Sequence, residues 1–219
     1  MGEIRLIILD FDGTLADTQL LIIRSLQGTI AELGLPSRTD AECASIIGLP
    51  LKECFVQLLK VDGTMADRCC EVYRRLFDEY NHPGTVTLFP QVESTLRELH
   101  RRGLQLAICS SRARATLDRF VRSFGFEEMV QAVVSADDVP RGKPAPDPAL
   151  RVLELTGRKA EEALMVGDAS YDILMGHAAG CRTCAVTYGN QTEAQLREAG
   201  ADWLIENFQE LLTLNFSTI

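Results

Sequence analysis

Two aspartates stand two positions apart at the end of an apolar run near the start of the chain. Residues Leu6–Leu9 are all apolar and predict a strand buried on both faces, and Asp10 and Asp12 follow it just before Gly13. Residues two apart in an extended chain project to the same side, so the two carboxylates would lie close together. Burying two like charges costs free energy unless something compensates them. The pair therefore indicates a site with chemistry of its own.

Further polar residues follow other apolar runs in the chain. They are Ser110, Ser111, Lys143, Asp168 and Asp172. Taken singly, each has an ordinary structural explanation, such as a turn or a helix cap. In an open parallel sheet, however, ligands bind beyond the carboxyl ends of the strands, where these residues would gather. Because stability does not require three carboxylates, a hydroxyl and a lysine at one sheet edge, the set predicts an active site.

The elements that must position these residues are strands alternating with helices. Apolar runs predict strands at 104–109, 129–134, 163–166, 183–186 and 203–205, in addition to the first. Between them lie amphipathic helices such as Val92–Arg102, followed by a glycine. This alternation favours an α/β fold, with a mostly parallel sheet covered by helices on both faces.

Residues from about 18 to 80 interrupt this alternation. Leu26, Ile30 and Leu33 follow helical spacing, ended by Gly34-Leu35-Pro36, and no convincing strand pattern occurs until after residue 85. Residues 81–84 are typical of a linker. We therefore expect an α/β core formed by residues 1–17 and 83–219, and an all-helical domain inserted at residues 18–82.

The predicted cluster suits phosphoryl transfer. Three close carboxylates call for a hard divalent cation with oxygen ligands, and Mg²⁺ fits best. Ser110, nearby backbone N–H groups and Lys143 could donate hydrogen bonds to phosphate oxygens. One carboxylate of the Asp10 and Asp12 pair could attack phosphorus, and the other could carry a proton to the leaving group and then from water.

The same residues resemble the four-motif signature of the haloacid dehalogenase (HAD) superfamily. The motifs are Asp10-Phe11-Asp12-Gly13-Thr14-Leu15, then Ser110, then Lys143-Pro144, then Gly167-Asp168 with Asp172. The resemblance covers nearly the whole chain. It implies a Rossmann-like core, a helical cap inserted after the first motif, Mg²⁺ dependence and phosphoryl transfer.

The resemblance also implies a role for each motif residue. Asp10 would be the nucleophile and Asp12 the general acid and base. Asp10, the backbone carbonyl of Asp12 and Asp168 would bind Mg²⁺. Ser110, the N–H of Ser111 and Lys143 would bind phosphate, and Asp172 would support Asp168 or Lys143.

Asp12 narrows the activity within the superfamily. Members that resemble dehalogenases lack a carboxylate there, so Asp12 favours a phosphatase or a phosphomutase. The chain resembles phosphoglycolate phosphatases, which implies hydrolysis of a small phosphate monoester through an aspartyl-phosphate. Three alternatives stay open: an inorganic pyrophosphatase, a 5'-nucleotidase and a β-phosphoglucomutase-like phosphoryl transferase.

A segment of the insertion resembles the substrate-specificity loop of the family's cap. It spans residues 46–52 and includes Gly48 and Lys52. If Lys52 points inward, it would pair with a second anionic group of the substrate; a surface lysine at a helix start is the alternative. No arginine follows Gly48 directly, which weakens the mutase alternative.

Composition limits the partners. The formal net charge is −9, so nucleic acid and acidic membrane surfaces are poor candidates, and an anionic small molecule needs a local basic pocket or a bound cation. No apolar stretch approaches the ~20 residues of a membrane span, and the first residues lack the layout of a signal peptide. We expect a cytoplasmic monomer or homodimer that acts on a small phosphorylated metabolite.

The seven cysteines do not predict a disulfide framework or a metal site. Cys181 and Cys184 would point to opposite faces of a strand. Cys109 would lie in the core. Cys69 and Cys70 are adjacent in a charged helical stretch, so one of them is expected to face away from any core.

Overall fold

Eight strands are present in the computed structural model, which describes residues 3–214. They are β1 (Leu6–Leu9), β2 (Ala16–Asp17), β3 (Thr87–Leu88), β4 (Gln105–Cys109), β5 (Val130–Val134), β6 (Ala163–Gly167), β7 (Arg182–Val186) and β8 (Trp203–Ile205). Six of them form one sheet in the order β5-β4-β1-β6-β7-β8, and every neighbouring pair is parallel. The six strands predicted from apolar runs are thus confirmed, with bounds within one residue.

The register of the sheet aligns the ends of its central strands. Leu9 at the end of β1 lies opposite Ile108 in β4 and Val166 in β6. Asp10 donates its backbone N–H to Val166 O at 2.9 Å, which continues the ladder one residue further. The residues that follow these three strands therefore emerge at one edge of the sheet, as predicted.

Helices cover both faces of the sheet and form the inserted domain. They are α1 (Gln19–Glu32), α2 (Asp40–Ala44), α3 (Leu51–Leu59), α4 (Gly63–Tyr80), α5 (Val92–Arg101), α6 (Arg114–Ser123), α7 (Asp147–Thr156), α8 (Ser170–Ala178) and α9 (Glu193–Glu198). Alternate residues of β1 enter different cores: Ile7 and Leu9 pack with α5 and α6, whereas Leu6 and Ile8 pack with α7 and α8. The predicted Rossmann-like α/β fold is confirmed.

The inserted cap is all-helical. Residues 19–80, all of which are described, contain α1–α4 and no strand. α1 ends before Gly34, whose φ of +63° lies in the left-handed region that glycine adopts at little cost. The cap and one face of the sheet share a continuous apolar core.

The two connections between cap and core run side by side. β2 and β3 pair antiparallel, with Ala16 opposite Leu88 and Asp17 opposite Thr87. This small sheet was not predicted, because two residues are too few to show an alternating pattern. Cap bounds of 18 and 82 stay a prediction, which this pairing supports.

All seven cysteines are buried and free. Cys181 packs on one face of the sheet and Cys184 on the other, and Cys109 lies in the core, as predicted. The expectation that Cys69 or Cys70 faces away from the core was wrong. α4 packs against both α1 and α3, so two adjacent faces of this helix are buried.

Within residues 3–214, none of the helices combines the length and the apolar character needed to cross a bilayer.

Candidate active site

A buried lysine joins two of the predicted carboxylates. Lys143 lies in the loop between β5 and α7, and its ammonium group contacts Asp10 Oδ1 and lies 2.6 Å from Asp172 Oδ1. All three side chains are almost completely buried. Burial alone would lower the pKa of Lys143, but Asp10 and Asp172 hold it above its usual value. Asp172 thus contacts Lys143 directly, and its supporting role stays a prediction.

Asp172 holds its position through the helix on which it lies. It is in the first turn of α8, and its Oδ2 accepts the backbone N–H of Ala169 at 3.1 Å. This bond leaves Oδ1 for Lys143. Gly167 makes the approach possible, because a Cβ at that position would overlap the Asp172 carboxyl group.

Three buried carboxylates converge beside Lys143. Oxygen atoms of Asp10, Asp168 and Asp172 all lie within 4.8 Å of one another. Burial raises the pKa of Asp10 well above its usual value against the lowering effect of Lys143, and Asp172 and Asp168 raise it further. Burial and the neighbouring Asp172 raise the pKa of Asp168 to about 7. One lysine thus leaves the three carboxylates short of positive charge, and an all-oxygen donor set of this kind fits Mg²⁺.

Neighbouring polar groups fix the orientation of Asp168. Its Oδ2 accepts hydrogen bonds from the backbone N–H and the side-chain amide of Asn190, each at 2.7 Å. Thr14 donates its hydroxyl to Oδ1 at 3.2 Å. Gln19, the first residue of α1, donates to Asn190 Oδ1 at 3.0 Å. Sequence reasoning missed Asn190, because an asparagine after a glycine is also typical of an ordinary turn.

Asp12 lies apart from that cluster and has a cation of its own. Arg112 donates Nε to Asp12 Oδ2 at 3.0 Å and Nη2 to Oδ1, and Thr18 donates its hydroxyl to Oδ1 at 2.7 Å. The Arg112 guanidinium lies over the rings of Phe77 in α4 and Phe120 in α6, at 4.7 and 5.0 Å from their centroids. Sequence reasoning did not select Arg112.

The two serines after β4 face the same site. Ser110 is buried, and its Oγ accepts the backbone N–H of Arg112 at 3.2 Å. Within residues 3–214, neither the Ser110 hydroxyl proton nor the Ser111 backbone N–H has an acceptor, so both can donate to a ligand. The Ser111 hydroxyl donates to the carbonyl oxygen of Gly48 in the cap at 2.6 Å.

A cleft of about 970 Å³ between cap and core contains Asp10, Asp12, Ser110 and Ser111 in its lining. The predicted specificity loop lines it as well, from Ile46 to Lys52. The ammonium group of Lys52, however, lies 2.7 Å from Asp67 in α4, and its side chain is 50% exposed. This contact favours the surface interpretation of Lys52, whereas Gly48 touches the core directly.

The chain has known relatives that share nearly its whole length. A family described as haloacid dehalogenase-like hydrolase matches residues 7–186. The chain belongs to this family. A curated relative, the pyrophosphatase PpaX of Oceanobacillus iheyensis, is 34% identical over 215 residues, which cover 97% of each chain.

Solved structures share the fold of this HAD-family chain. A chain assigned as a haloacid dehalogenase-like hydrolase from Bacteroides fragilis superposes with a TM-score of 0.90 at 26% identity, over 95% of this chain and 100% of that one. A predicted phosphoglycolate phosphatase from Haemophilus somnus superposes with a TM-score of 0.81 at 23% identity, over 97% and 98% of the two chains. The prediction of a phosphatase of the HAD superfamily is confirmed as to family and enzyme class.

Proposed function

We propose that the protein is a Mg²⁺-dependent phosphatase that works through an aspartyl-phosphate on Asp10. The observation that carries this proposal is the buried group of Lys143, Asp10 and Asp172 beside Ser110. Lys143 holds one oxygen of Asp10, and the free donors of Ser110 and Ser111 can hold phosphate oxygens near the other.

Asp10 is the nucleophile in this proposal. Its carboxylate attacks phosphorus, the bond from phosphorus to the leaving oxygen breaks, and the phosphoryl group is transferred to Asp10. Lys143, Ser110 and the Ser111 N–H donate to the phosphoryl oxygens as negative charge develops on them. Asp172 keeps Lys143 in place through their contact at 2.6 Å.

Asp12 moves the protons. It gives a proton to the leaving oxygen in the first step and takes one from the water that hydrolyses the aspartyl-phosphate in the second. Arg112 and Thr18 fix the direction of its carboxyl group through three hydrogen bonds. This orientation matters because proton transfer requires hydrogen-bond contact with the reacting oxygen.

Asp10, Asp168 and the backbone carbonyl of Asp12 would hold Mg²⁺. Bound there, the ion supplies positive charge that offsets the carboxylates and the phosphoryl group. Asn190 and Thr14 keep the Asp168 carboxylate oriented for this role.

Inorganic diphosphate is the substrate we propose first. Relatives 34% identical over 97% of the chain are named pyrophosphatase PpaX. Phosphoglycolate is the second candidate, because its leaving group also carries a negative charge beside the phosphoryl group. In either case the partner is a small phosphorylated metabolite.

The cap would exclude water while Asp10 reacts. We propose that residues 18–82 form this cap, with Gly48 as the contact to the core and Lys52 at the outer part of the cleft. The bond from Ser111 to Gly48 and the pairing of Arg119 with Asp78 join the two parts. A domain joined by two adjacent strands can open as a unit.

A panel of phosphate compounds with Mg²⁺ tests the proposal. It contains diphosphate, phosphoglycolate, nucleoside monophosphates, hexose phosphates and p-nitrophenyl phosphate. We expect hydrolysis that depends on Asp10, with the highest kcat/KM for diphosphate. Isomerisation of a hexose phosphate without phosphate release would instead support the mutase alternative, and activity retained in a folded Asp10→Asn variant would exclude the mechanism.

A further inference from the structure

We propose that Arg112 binds the leaving group of the substrate and selects leaving groups that carry negative charge. This inference rests on the proposed function and adds a specificity-determining residue to it. Arg112 lies in the cleft, between Asp12, the proposed acid, and the aromatic rings of the cap and core.

The Arg112 side chain is fixed by its neighbours and keeps N–H donors that no other atom of the described residues uses. Its side chain is 8% exposed, and the rings of Phe77 and Phe120 flank the guanidinium. Of its five N–H donors, one on Nε and one on Nη2 are used by Asp12. Among residues 3–214, no atom accepts a hydrogen bond from Nη1. Arg112 can therefore bind a further acceptor without releasing Asp12.

The position of Asp12 determines what that acceptor is. A group that receives a proton from Asp12 lies within hydrogen-bond distance of its carboxyl oxygens. Arg112 contacts both of those oxygens. The leaving group and the guanidinium of Arg112 are therefore neighbours in the first step.

The charge on Arg112 favours an anionic leaving group. The unused donors of Nη1 belong to a guanidinium, which carries a positive charge at all working pH values. A hydrogen bond from such a donor to a charged acceptor is stronger than one to a neutral acceptor. The leaving phosphate of diphosphate is a charged acceptor, and so is a carboxylate on a small organic phosphate. A neutral leaving group is not.

The shape of arginine suits this double role. Its planar fork binds one carboxylate with two donors and presents other donors in the same plane to a phosphate oxygen. A lysine would keep the charge but not the fork or the stacking on Phe77. The cap thus contributes to leaving-group recognition through Phe77, which holds the plane of the guanidinium.

The experiment compares two substrates in three variants with Mg²⁺ present. The substrates are diphosphate, with a charged leaving group, and p-nitrophenyl phosphate, without a second anionic group. The variants are Arg112→Gln, Arg112→Lys and Arg119→Gln. Arg119, in α6, is the matched control. Like Arg112, it lines the cleft and pairs with an aspartate, but its partner is Asp78 and not Asp12.

We expect Arg112→Gln to lower kcat/KM for diphosphate by about 10- to 150-fold more than for p-nitrophenyl phosphate, the effect of one charged hydrogen bond. Arg112→Lys should show a smaller selective loss of kcat/KM for diphosphate than Arg112→Gln, with KM for diphosphate raised above the wild-type value. Arg119→Gln should leave the ratio of the two substrates unchanged. Melting temperatures verify that each variant is folded. If Arg112→Gln does not fold, the ratio of the two substrates in Arg112→Lys tests the proposal.

Equal losses for both substrates, with the same displacement of both pH–rate profiles, would overturn the inference, because Arg112 would then act only by orienting Asp12. An equally large selective loss of kcat/KM for diphosphate in Arg119→Gln would overturn it as well, since any positive charge in the cleft would then favour the charged leaving group. Failure of the proposed function has a different signature: neither substrate is hydrolysed by the wild type, or activity persists in Asp10→Asn.

Discussion

Lys143 Nζ lies 2.6 Å from Asp172 Oδ1, although Lys143 is in a loop, Asp172 is in helix α8 and the two are 29 positions apart in the chain. Asp172 is itself fixed by the backbone at the start of α8. The contact therefore transmits the position of a helix N-terminus to the ammonium group that touches Asp10. It also makes the buried charges of the site dependent on one another.

Removal of Lys143 should destabilise the fold. Lys143→Met leaves Asp10 and Asp172 buried without their shared cation, which costs about 3–5 kcal/mol for a buried pair. The free energy of unfolding from urea titration measures this loss. Lys159→Met is the control, because Lys159 is 77% exposed and should change stability little. Similar values for the two variants would show that the Lys143 pairs add nothing to stability.

Asp10→Asn should abolish phosphatase turnover while the protein stays folded, because an amide is a far weaker nucleophile than a carboxylate. Activity and circular dichroism measure the two properties. Beryllofluoride, a mimic of a phosphoryl group, should attach to Asp10 and inhibit the wild type. It should raise the melting temperature only where the Asp10 carboxylate is present. Asp17→Asn changes an exposed aspartate nearby and should keep full activity.

Asp12→Asn should slow turnover by about 10²–10⁴-fold, because the amide cannot carry the proton in either step. Rapid-quench measurements with a substrate that needs no protonated leaving group should show hydrolysis of the aspartyl-phosphate as the slower step. Thr18→Val, which removes only one hydrogen bond to Asp12, should have a smaller effect. An unchanged rate in Asp12→Asn would deny Asp12 its role.

Mg²⁺ should raise the melting temperature of the wild type, since an ion that binds only the folded state stabilises it. Asp168→Ala should lose most of this increase, and EDTA should remove it from the wild type together with activity. Asn190→Ala should weaken Mg²⁺ binding by a smaller factor, because it frees Asp168 without deleting a ligand. Ca²⁺ should bind but inhibit, because its larger coordination shell misplaces the attacking carboxylate. An increase that persists in Asp168→Ala would place the ion elsewhere.

Glu98 should make stability depend on pH in the acid range. Hydrogen bonds from Arg101 and Arg102 lower the pKa of Glu98 to about 2. The carboxylate is thus favoured in the folded state, and its contribution is present above the unfolded pKa of about 4.3 and lost as the pH falls towards 2. The difference in unfolding free energy between wild type and Glu98→Gln should narrow across this range.

Three of the predicted site residues, which the structure brings to one edge of the sheet, share one property: each directly follows a strand of that sheet. Asp10, Ser110 and Asp168 come directly after β1, β4 and β6, so the parallel topology alone brings them to one edge. The sequence placed Lys143 only in the loop after β5, and its contact with Asp172 depends on how that loop folds back over the sheet edge. Local apolar patterns predict the central strands well, because β1 and β6 are buried on both faces over their full length.

Arg112 and Asn190 show why the remainder was not predictable. Arg112 is surrounded by Phe77 in α4 and Phe120 in α6, and no local sequence pattern predicts that these two rings meet the guanidinium. Asn190 reaches Asp168 from the loop after β7, 22 residues further along the chain. Burial of both Cys69 and Cys70 had the same origin, since it depends on how α1 and α3 pack around α4. Tertiary contacts decide all three cases.

The seven buried thiols give the protein built-in reporters of local opening. Four lie in the cap, at Cys43, Cys54, Cys69 and Cys70, and three in the core, at Cys109, Cys181 and Cys184. An alkylating reagent reaches such a thiol only when its surroundings unfold, so labelling rates at each site, followed by mass spectrometry, measure opening of the two regions separately. If the cap detaches and melts before the sheet, its four cysteines will be modified first, without any engineered probe in the chain.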